Sequence, residues 1–262
     1  KMGHKEIDVR VSILPTVHGE KAVLRLLGSG DKELNLSNLG FPLNKLTVFK
    51  KWINQPYGMV IISGPTGSGK STTLYAALQE IKSDSINITT VEDPVEYQIP
   101  GINQIQVHDA IGLSFSSALR SILRQDPDVL LIGEIRDQET ADIAVKFSMT
   151  GHLVFSTVHA NDAPSTISRL LDLGIPPFLL GSSLNLIMAQ RLVRTIDPSN
   201  KEEDNPSIED LNRLGLSSDQ TNQMKFFKGK PTQQNHNTGY KGRTAIHEIL
   251  EVNPSIREMI FE

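Results

Sequence analysis

The sequence predicts an α/β fold built on a mostly parallel sheet covered on both faces. Three observations carry this. Strand-like and helix-like stretches alternate from Phe41 onward. The strand-like stretches "MVIIS", "DVLLIG" and "HLVFSTV" are continuous apolar runs, as strands buried on both faces require. A glycine-rich turn, "GPTGSGKST", lies between the first of these runs and a helical stretch.

Element by element, Ile7, Val9, Val11 and Ile13 alternate with polar residues, the period-2 pattern of a half-buried strand. "PTVHGE" turns the chain and residues 21–27 read as the returning strand. The polar, glycine-containing stretch that follows is a linker candidate. A helix is expected over 41–54, with Leu43, Leu46, Phe49 and Ile53 on one face. Strands are expected over 59–63, 86–91, 128–133 and 152–158, and helices over 70–81, 114–123, 138–149 and 163–173. After Pro176 a further helix is expected to carry Leu184, Ile187 and Met188. "TIDPSNKEEDNPS" is polar and irregular, and the tail from Ile208 mixes helices with a strand around "RTAIHEILEV".

Composition narrows the function classes. The chain has 262 residues, 38% hydrophobic and 21% charged, as in an ordinary globular protein. A net charge of −4 argues against a generally nucleic-acid-binding surface, although a local basic patch stays compatible with it. The absence of cysteine excludes disulfides and suits a reducing compartment. No apolar run reaches the ~18 residues of a membrane span, and a signal peptide is not expected. "KMGHKEIDVRVSILPT" runs at once into alternating apolar residues, so we expect a piece of a longer protein.

Four stretches carry chemistry. In "GPTGSGKST", comprising Gly64, Pro65, Thr66, Gly67, Ser68, Gly69, Lys70, Ser71 and Thr72, the glycines let backbone N–H groups curl around phosphate oxygens. The helix that follows points its positive end at the same anion. Lys70 is expected to reach the β- and γ-phosphates and Ser71 to ligate Mg²⁺. "DVLLIGEIRD" puts Glu134 just past a strand's C-terminal end, where it can polarise an attacking water or hold Mg²⁺ through water. "TVEDPVEYQ" clusters Glu92, Asp93 and Glu96 as a second acidic edge of that metal site, or as a helix-start cap beside a proline turn. "TGHLVFSTVHAND" brackets a strand with His152, at its start, and His159, placed to sense a γ-phosphate or signal to a neighbouring subunit. Arg10 and Arg25 are either surface arginines of the opening strands or fingers offered to a phosphate site.

In this order the motifs resemble the secretion, or traffic, ATPases of type II secretion and type IV pilus assembly, the GspE/PilB family. The likeness rests on "RVSILPTVHGEKAVLRLL", "GPTGSGKSTTLYAAL", "TVEDPVEYQIPGINQIQV", "ALRSILRQDPDVLLIGEIRDQETADIA", "TGHLVFSTVHANDA", "AQRLVR" and "GYKGRTAIHEIL", and so covers nearly the whole chain. The resemblance implies a RecA-like P-loop domain over 41–190, preceded by the remainder of a PAS-like α+β domain over 1–30 and a linker over 31–40. It further implies an insertion over 191–240 and a mostly helical C-terminal subdomain over 241–262. It implies a homohexamer hydrolysing ATP with Mg²⁺, cytoplasmic and peripheral at a bacterial inner membrane, where it drives a platform protein that moves pilin or secreted cargo. By match, Lys70 and Ser71 form the Walker A pair, Glu134 is the Walker B glutamate, Glu92 and Glu96 belong to the Asp box, His159 to the His box, and Arg10 and Arg25 contact phosphate. Direct nucleic-acid contact is not expected. Two other readings stay open: a DNA-uptake or transfer ATPase of the same superfamily, and a nucleotide-gated switch with negligible turnover.

Many assembly-type members of that family carry two C-x-x-C pairs that bind zinc in the insertion. Here the four matching positions are Asp197, Asn200, Thr232 and Asn235, with only His236 nearby. Tetrahedral zinc prefers Cys or His, so no zinc is expected and the clip must be held by packing or hydrogen bonds.

Overall fold

The computed structural model describes residues 9–26, 34–221 and 224–262. The expected strand residue Ile7 and residues 31–33 of the expected linker lie outside them. β1 (Val9–Thr16) and β2 (Gly19–Leu26) pair as an antiparallel hairpin, with Arg10 and Arg25 as register partners. In chain order there follow α1 (Leu43–Ile53), β3 (Gly58–Ser63), α2 (Lys70–Ile81), β4 (Ile88–Glu92), β5 (Asn103–Gln106), α3 (Phe115–Ile122), β6 (Val129–Ile132), α4 (Gln138–Met149), β7 (Leu153–Val158), α5 (Ala163–Asp172), α6 (Pro177–Ser183) and β8 (Leu184–Ile196). Then come β9 (Lys201–Asp204), α7 (Ile208–Arg213), α8 (Ser218–Thr221), β10 (Phe226–Gly229), β11 (Tyr240–Glu251) and α9 (Pro254–Phe261). The chain divides into two compact units, residues 1–191 with 247–262, and residues 192–246. Among the described residues no helix is long and apolar enough to cross a membrane.

The first unit is organised by a sheet of order β11-β8-β3-β7-β6-β4-β5. The neighbouring strands from β8 through β5 all pair in parallel. Its apolar strands alternate between two cores. Met59, Ile61, Leu130, Ile132 and Val154 face one cluster, with α3 to α6 and α9. Val60, Ile62, Val129, Leu131 and Phe155 face the other, with α1 and α2. Burial on both faces is why these strands read as unbroken apolar runs. This is the RecA-like α/β arrangement.

Three expectations need correction. Leu184, Ile187 and Met188 are not on a helix: α6 ends at Ser183 and β8 begins at once. The i, i+3 spacing that mimics a helix comes from a bulge. Met59 pairs with Leu184 but Val60 pairs with Leu186, so Asn185 is an extra residue. The slip puts Leu184 and Ile187 in one core, with Leu186 and Met188 in the other. Asn185 is held in the bulge by donating its Nδ2 to the Tyr57 carbonyl at 2.8 Å. Secondly, Leu36, inside the expected linker, is fully buried in the α1/α2 core, because its apolar side chain closes that face. Thirdly, residues 241–262, which the resemblance implied to be mostly helical, divide between α9 and β11, the strand expected around "RTAIHEILEV", which extends the sheet edge. β5 at the opposite edge, and β9 and β10, were not anticipated.

β11 also carries His247 into the first unit, where its ring stacks on Phe41 with centroids 3.7 Å apart. It is buried, and among the described residues neither ring nitrogen has a hydrogen-bond partner. Burial, reinforced by the Lys45 charge, pushes its pKa down to about 4.

The second unit is tied together by a hydrogen-bond network. Asp197 and Asn235 are both buried. One oxygen of Asp197 accepts from Asn200 Nδ2 at 2.9 Å and from Asn235 Nδ2 at 3.1 Å, and the other from the Ser199 N–H at 3.1 Å. Asn235 Oδ1 accepts from the N–H groups of Thr232 at 2.8 Å and Gly239 at 3.1 Å. The four clip positions thus share one network centred on a carboxylate. They do not fit zinc: the central oxygens already face N–H donors, and no thiolate or imidazole joins them. These contacts hold the Asp197 carboxyl below the usual carboxylate range, chiefly through Asn200 and Asn235. Gly229 and Gly239 close the same tip, where a Cβ on Gly229 would lie 1.9 Å from the Gly239 carbonyl oxygen.

Two pH effects with different windows follow from linkage. The unfolded chain protonates His247 near its ordinary pKa of ~6.5 while the folded one resists, so the first unit loses stability as pH falls from there toward about 4. His247→Phe should flatten that part of a melting-temperature profile. Asp197, whose folded pKa is depressed, stabilises the second unit above its unfolded value of ~3.9 and loses that contribution as pH falls below it. Hydrogen exchange over 192–246 should accelerate only there, and Asp197→Asn, which sets donor against donor, should accelerate it already at pH 7.

Candidate active site

In the parallel sheet β7 lies between β3 and β6, and all three strands end at the same edge. From that edge β3 runs into residues 64–69, β6 into Gly133 and Glu134, and β7 into His159. The sequence motifs converge because parallel strands share one C-terminal edge.

The loop after β3 is shaped by its glycines. Gly64 has φ +144°, and a Cβ there would lie 2.3 Å from the Gln190 carbonyl oxygen. Gly69, at φ +87°, is the N-cap of α2 and brings no side chain to the free N–H groups of the first turn. They remain available to an anion, helped by the helix dipole. Lys70 Nζ donates to the carbonyls of Gly64 at 2.9 Å and Pro65 at 3.1 Å, folding back over the loop. Burial lowers the Lys70 pKa, and the Glu134 charge opposes that shift. Pro65, Thr66, Gly67 and Ser71 are exposed, and Thr72 is half-buried. Ser68 is buried, and among the described residues its hydroxyl has no partner, an orphan polar atom inside the loop.

Glu134 stands beside this loop with 16% of its side chain exposed. Arg136 Nε donates to one carboxylate oxygen at 2.7 Å, and His159 Nε2 lies 3.1 Å from the other. The turn carrying Glu134 is fixed from both sides. Gly133 donates its N–H to the Val91 carbonyl at 2.8 Å, Ile135 its N–H to the Thr157 carbonyl at 3.0 Å, and the Thr157 hydroxyl donates back to the Gly133 carbonyl at 2.7 Å. Asp93 lies 3.8 Å from Arg136 across the same edge.

The other predicted residues are distributed less simply. Glu92 is buried, not open to a metal edge. Its carboxylate accepts from the Tyr75 hydroxyl and, at 2.6 Å, from the Thr90 hydroxyl. Burial raises its pKa against the pull of these donors. Glu96 is exposed and donates its backbone N–H to the Tyr75 oxygen at 3.3 Å. His152, at the start of β7, stacks on Phe147, with centroids 4.1 Å apart and Nδ1 3.2 Å from the Phe147 carbonyl oxygen. It sits at the opposite end of the strand from His159. The side chains of Arg10 and Arg25 lie outside the described part of the structure.

Two residues at this edge lie within the quoted motifs but had no role assigned from the sequence. Tyr75, one turn into α2, ties the phosphate-loop helix to the end of β4 through Glu92. Gln190, in the middle of β8, donates Nε2 to the Ser68 carbonyl at 2.8 Å and accepts from the Thr73 hydroxyl at 2.8 Å. The available signal was an amide, Gln190, directly after the apolar run "LIMA". Together the edge offers a cationic, N–H-lined loop beside a carboxylate gripped by an arginine and an imidazole. Such an arrangement can bind a phosphate chain and orient a water against it.

Comparison with known proteins agrees with this geometry. The whole chain, residues 1–262, matches the family described as "Type II/IV secretion system protein". It is 50% identical over 259 residues to the type IV pilus assembly ATPase PilB of Myxococcus xanthus, covering 98% of this chain and 46% of that one. It is 47% identical over 260 residues to the type II secretion system protein E of Aeromonas hydrophila, covering 99% and 52%. The chain therefore spans about half the length of these relatives. Among solved structures, that of the pilus retraction motor PilT with bound ADP superposes with a TM-score of 0.69 at 30% identity, covering 97% of this chain and 62% of that one. With its full length matched and its P-loop edge in place, the chain belongs to the type II/IV secretion system protein family.

Proposed function

We propose that this chain is the Mg-ATP-hydrolysing part of a hexameric motor that powers pilin assembly or protein secretion. The observation that carries the proposal is the convergence of the P-loop, Glu134 and His159 on one edge of the sheet. The names of the relatives, a pilus assembly ATPase and a secretion system protein, supply the machine class.

In this account, N–H groups of residues 64–72 cradle the phosphates of ATP. Lys70 exchanges its two carbonyl partners for phosphate oxygens, a swap within reach of a flexible ammonium. The exposed Ser71 hydroxyl and the Glu134 carboxylate, the latter through water, are oxygen donors of the kind Mg²⁺ takes. The ion, when bound, neutralises charge on the phosphates. Glu134, aimed by Arg136 and His159, orients water toward the γ-phosphate. Glu96 faces solvent as the acidic edge, while Glu92, its oxygens already engaged, holds that edge in place through Tyr75. Arg10 and Arg25, neighbours on the hairpin, offer charge to a phosphate site, their own or an adjacent subunit's. The partners in this account are copies of the chain itself and an inner-membrane platform protein, at the cytoplasmic face of a bacterium.

Phosphate release separates motor from switch. Glu134→Gln should keep nucleotide binding and lower turnover about 100-fold or more, whereas Lys70→Ala should lose binding. Wild type and Glu134→Gln releasing phosphate equally, both near background, would point to a switch. If an arginine acts in trans, the rate per subunit should rise with protein concentration and fall to the monomer level in Arg10→Ala or Arg25→Ala. A concentration-independent rate in a verified monomer contradicts that role.

A further inference from the structure

We infer that Gln190 is a positioning residue that sets the shape of the phosphate loop, by fixing one of its peptide planes so that the Gly69 N–H points into the anion cradle. The inference rests on the nucleotide reading given above.

Gln190 is 2% exposed and lies one residue beyond Ala189, the partner of Ser63 at the end of β3. It therefore flanks the loop at its root. Its Nε2 donates to the Ser68 carbonyl at 2.8 Å. A peptide is planar and trans, so a carbonyl held toward Gln190 sends the N–H of the next residue, Gly69, the opposite way. That direction is away from β8, toward the open side of the loop. The amide cannot profitably turn over. Its Oε1 accepts from the Thr73 hydroxyl at 2.8 Å, whereas a flipped amide would set oxygen against the Ser68 carbonyl. Thr73 in turn sits in the first turn of α2 and donates its own N–H to the Gly69 carbonyl at 3.1 Å. The backbone of Gln190 adds a second constraint, since its carbonyl packs where any side chain on Gly64 would be. One residue thus fixes both ends of the loop, from a strand that carries none of the residues assigned to the phosphates.

The consequence is an effect on phosphate affinity larger than the effect on the fold. Gln190→Met keeps volume and removes both side-chain bonds. Gln190→Glu keeps the bond from Thr73 and turns oxygen on the Ser68 carbonyl. The test measures ADP affinity, the KM and kcat for ATP, and the melting temperature without nucleotide, on the full chain. Gln190→Met should weaken ADP about tenfold and raise KM similarly, with kcat at saturation changed less than about threefold, and Gln190→Glu should weaken ADP further. Wild-type affinity in Gln190→Met, or a fall in melting temperature with no change in affinity, overturns the inference. Absence of ADP binding by the wild type overturns the nucleotide reading itself. Should a variant not fold, the wild-type protein still decides: the Gly69 amide proton should move downfield when ADP is added, and an unmoved resonance contradicts the assigned direction.

Discussion

The structure depends on the parallel pairing of β3, β7 and β6 inside a sheet buried on both faces. Burial fixes the register of each strand, because a one-residue slip would move apolar side chains between the two cores. Parallel direction then brings three strand ends, and the motifs that follow them, to one edge. The loop at residues 64–69, the turn at Glu134 and the residue His159 are neighbours because of that shared direction. Hydrogen bonds across the strand ends, from Gly133 to Val91 and from Ile135 to Thr157, convert the coarse alignment into a fixed position for the carboxylate.

Within that frame the charged side chains of the edge gather around the loop at residues 64–69. Lys70 rests on two loop carbonyls, weak partners that phosphate oxygens can replace. Glu134 has Arg136 Nε on one oxygen at 2.7 Å and His159 Nε2 3.1 Å from the other. Glu92 is withdrawn from the site and stitched to Tyr75, linking the phosphate-loop helix to the end of β4. Two carboxylates, each at a strand's end, therefore sit in different environments, Glu92 buried and Glu134 partly open.

Much of this was legible in the sequence where a signal is local. The P-loop, its strand and its helix show themselves in spacing and glycine content, and α2 and α4 fall on the expected residues. The failures were non-local. The bulge at Asn185 gave a strand the spacing of a helix, which no periodicity count can resolve without the neighbouring strand. Gln190 is functional in this account only because of what lies across from it. The burial of Glu92 depends on Tyr75 and Thr90, and acidic clustering alone pointed toward solvent and metal. In the second unit, the lack of cysteine correctly directs attention to hydrogen bonds, but the choice of Asp197 as their centre needs the fold.

The central claim is that the C-terminal edge of this sheet holds the phosphates of ATP. A crystal structure with Mg²⁺ and a non-hydrolysable ATP analogue tests it most directly. The account predicts the triphosphate inside residues 64–72, Lys70 Nζ released from the Gly64 and Pro65 carbonyls onto a phosphate oxygen, and Glu134 facing the γ-phosphate. A nucleotide bound elsewhere, or Lys70 still on its two carbonyls with the loop occupied, would contradict it.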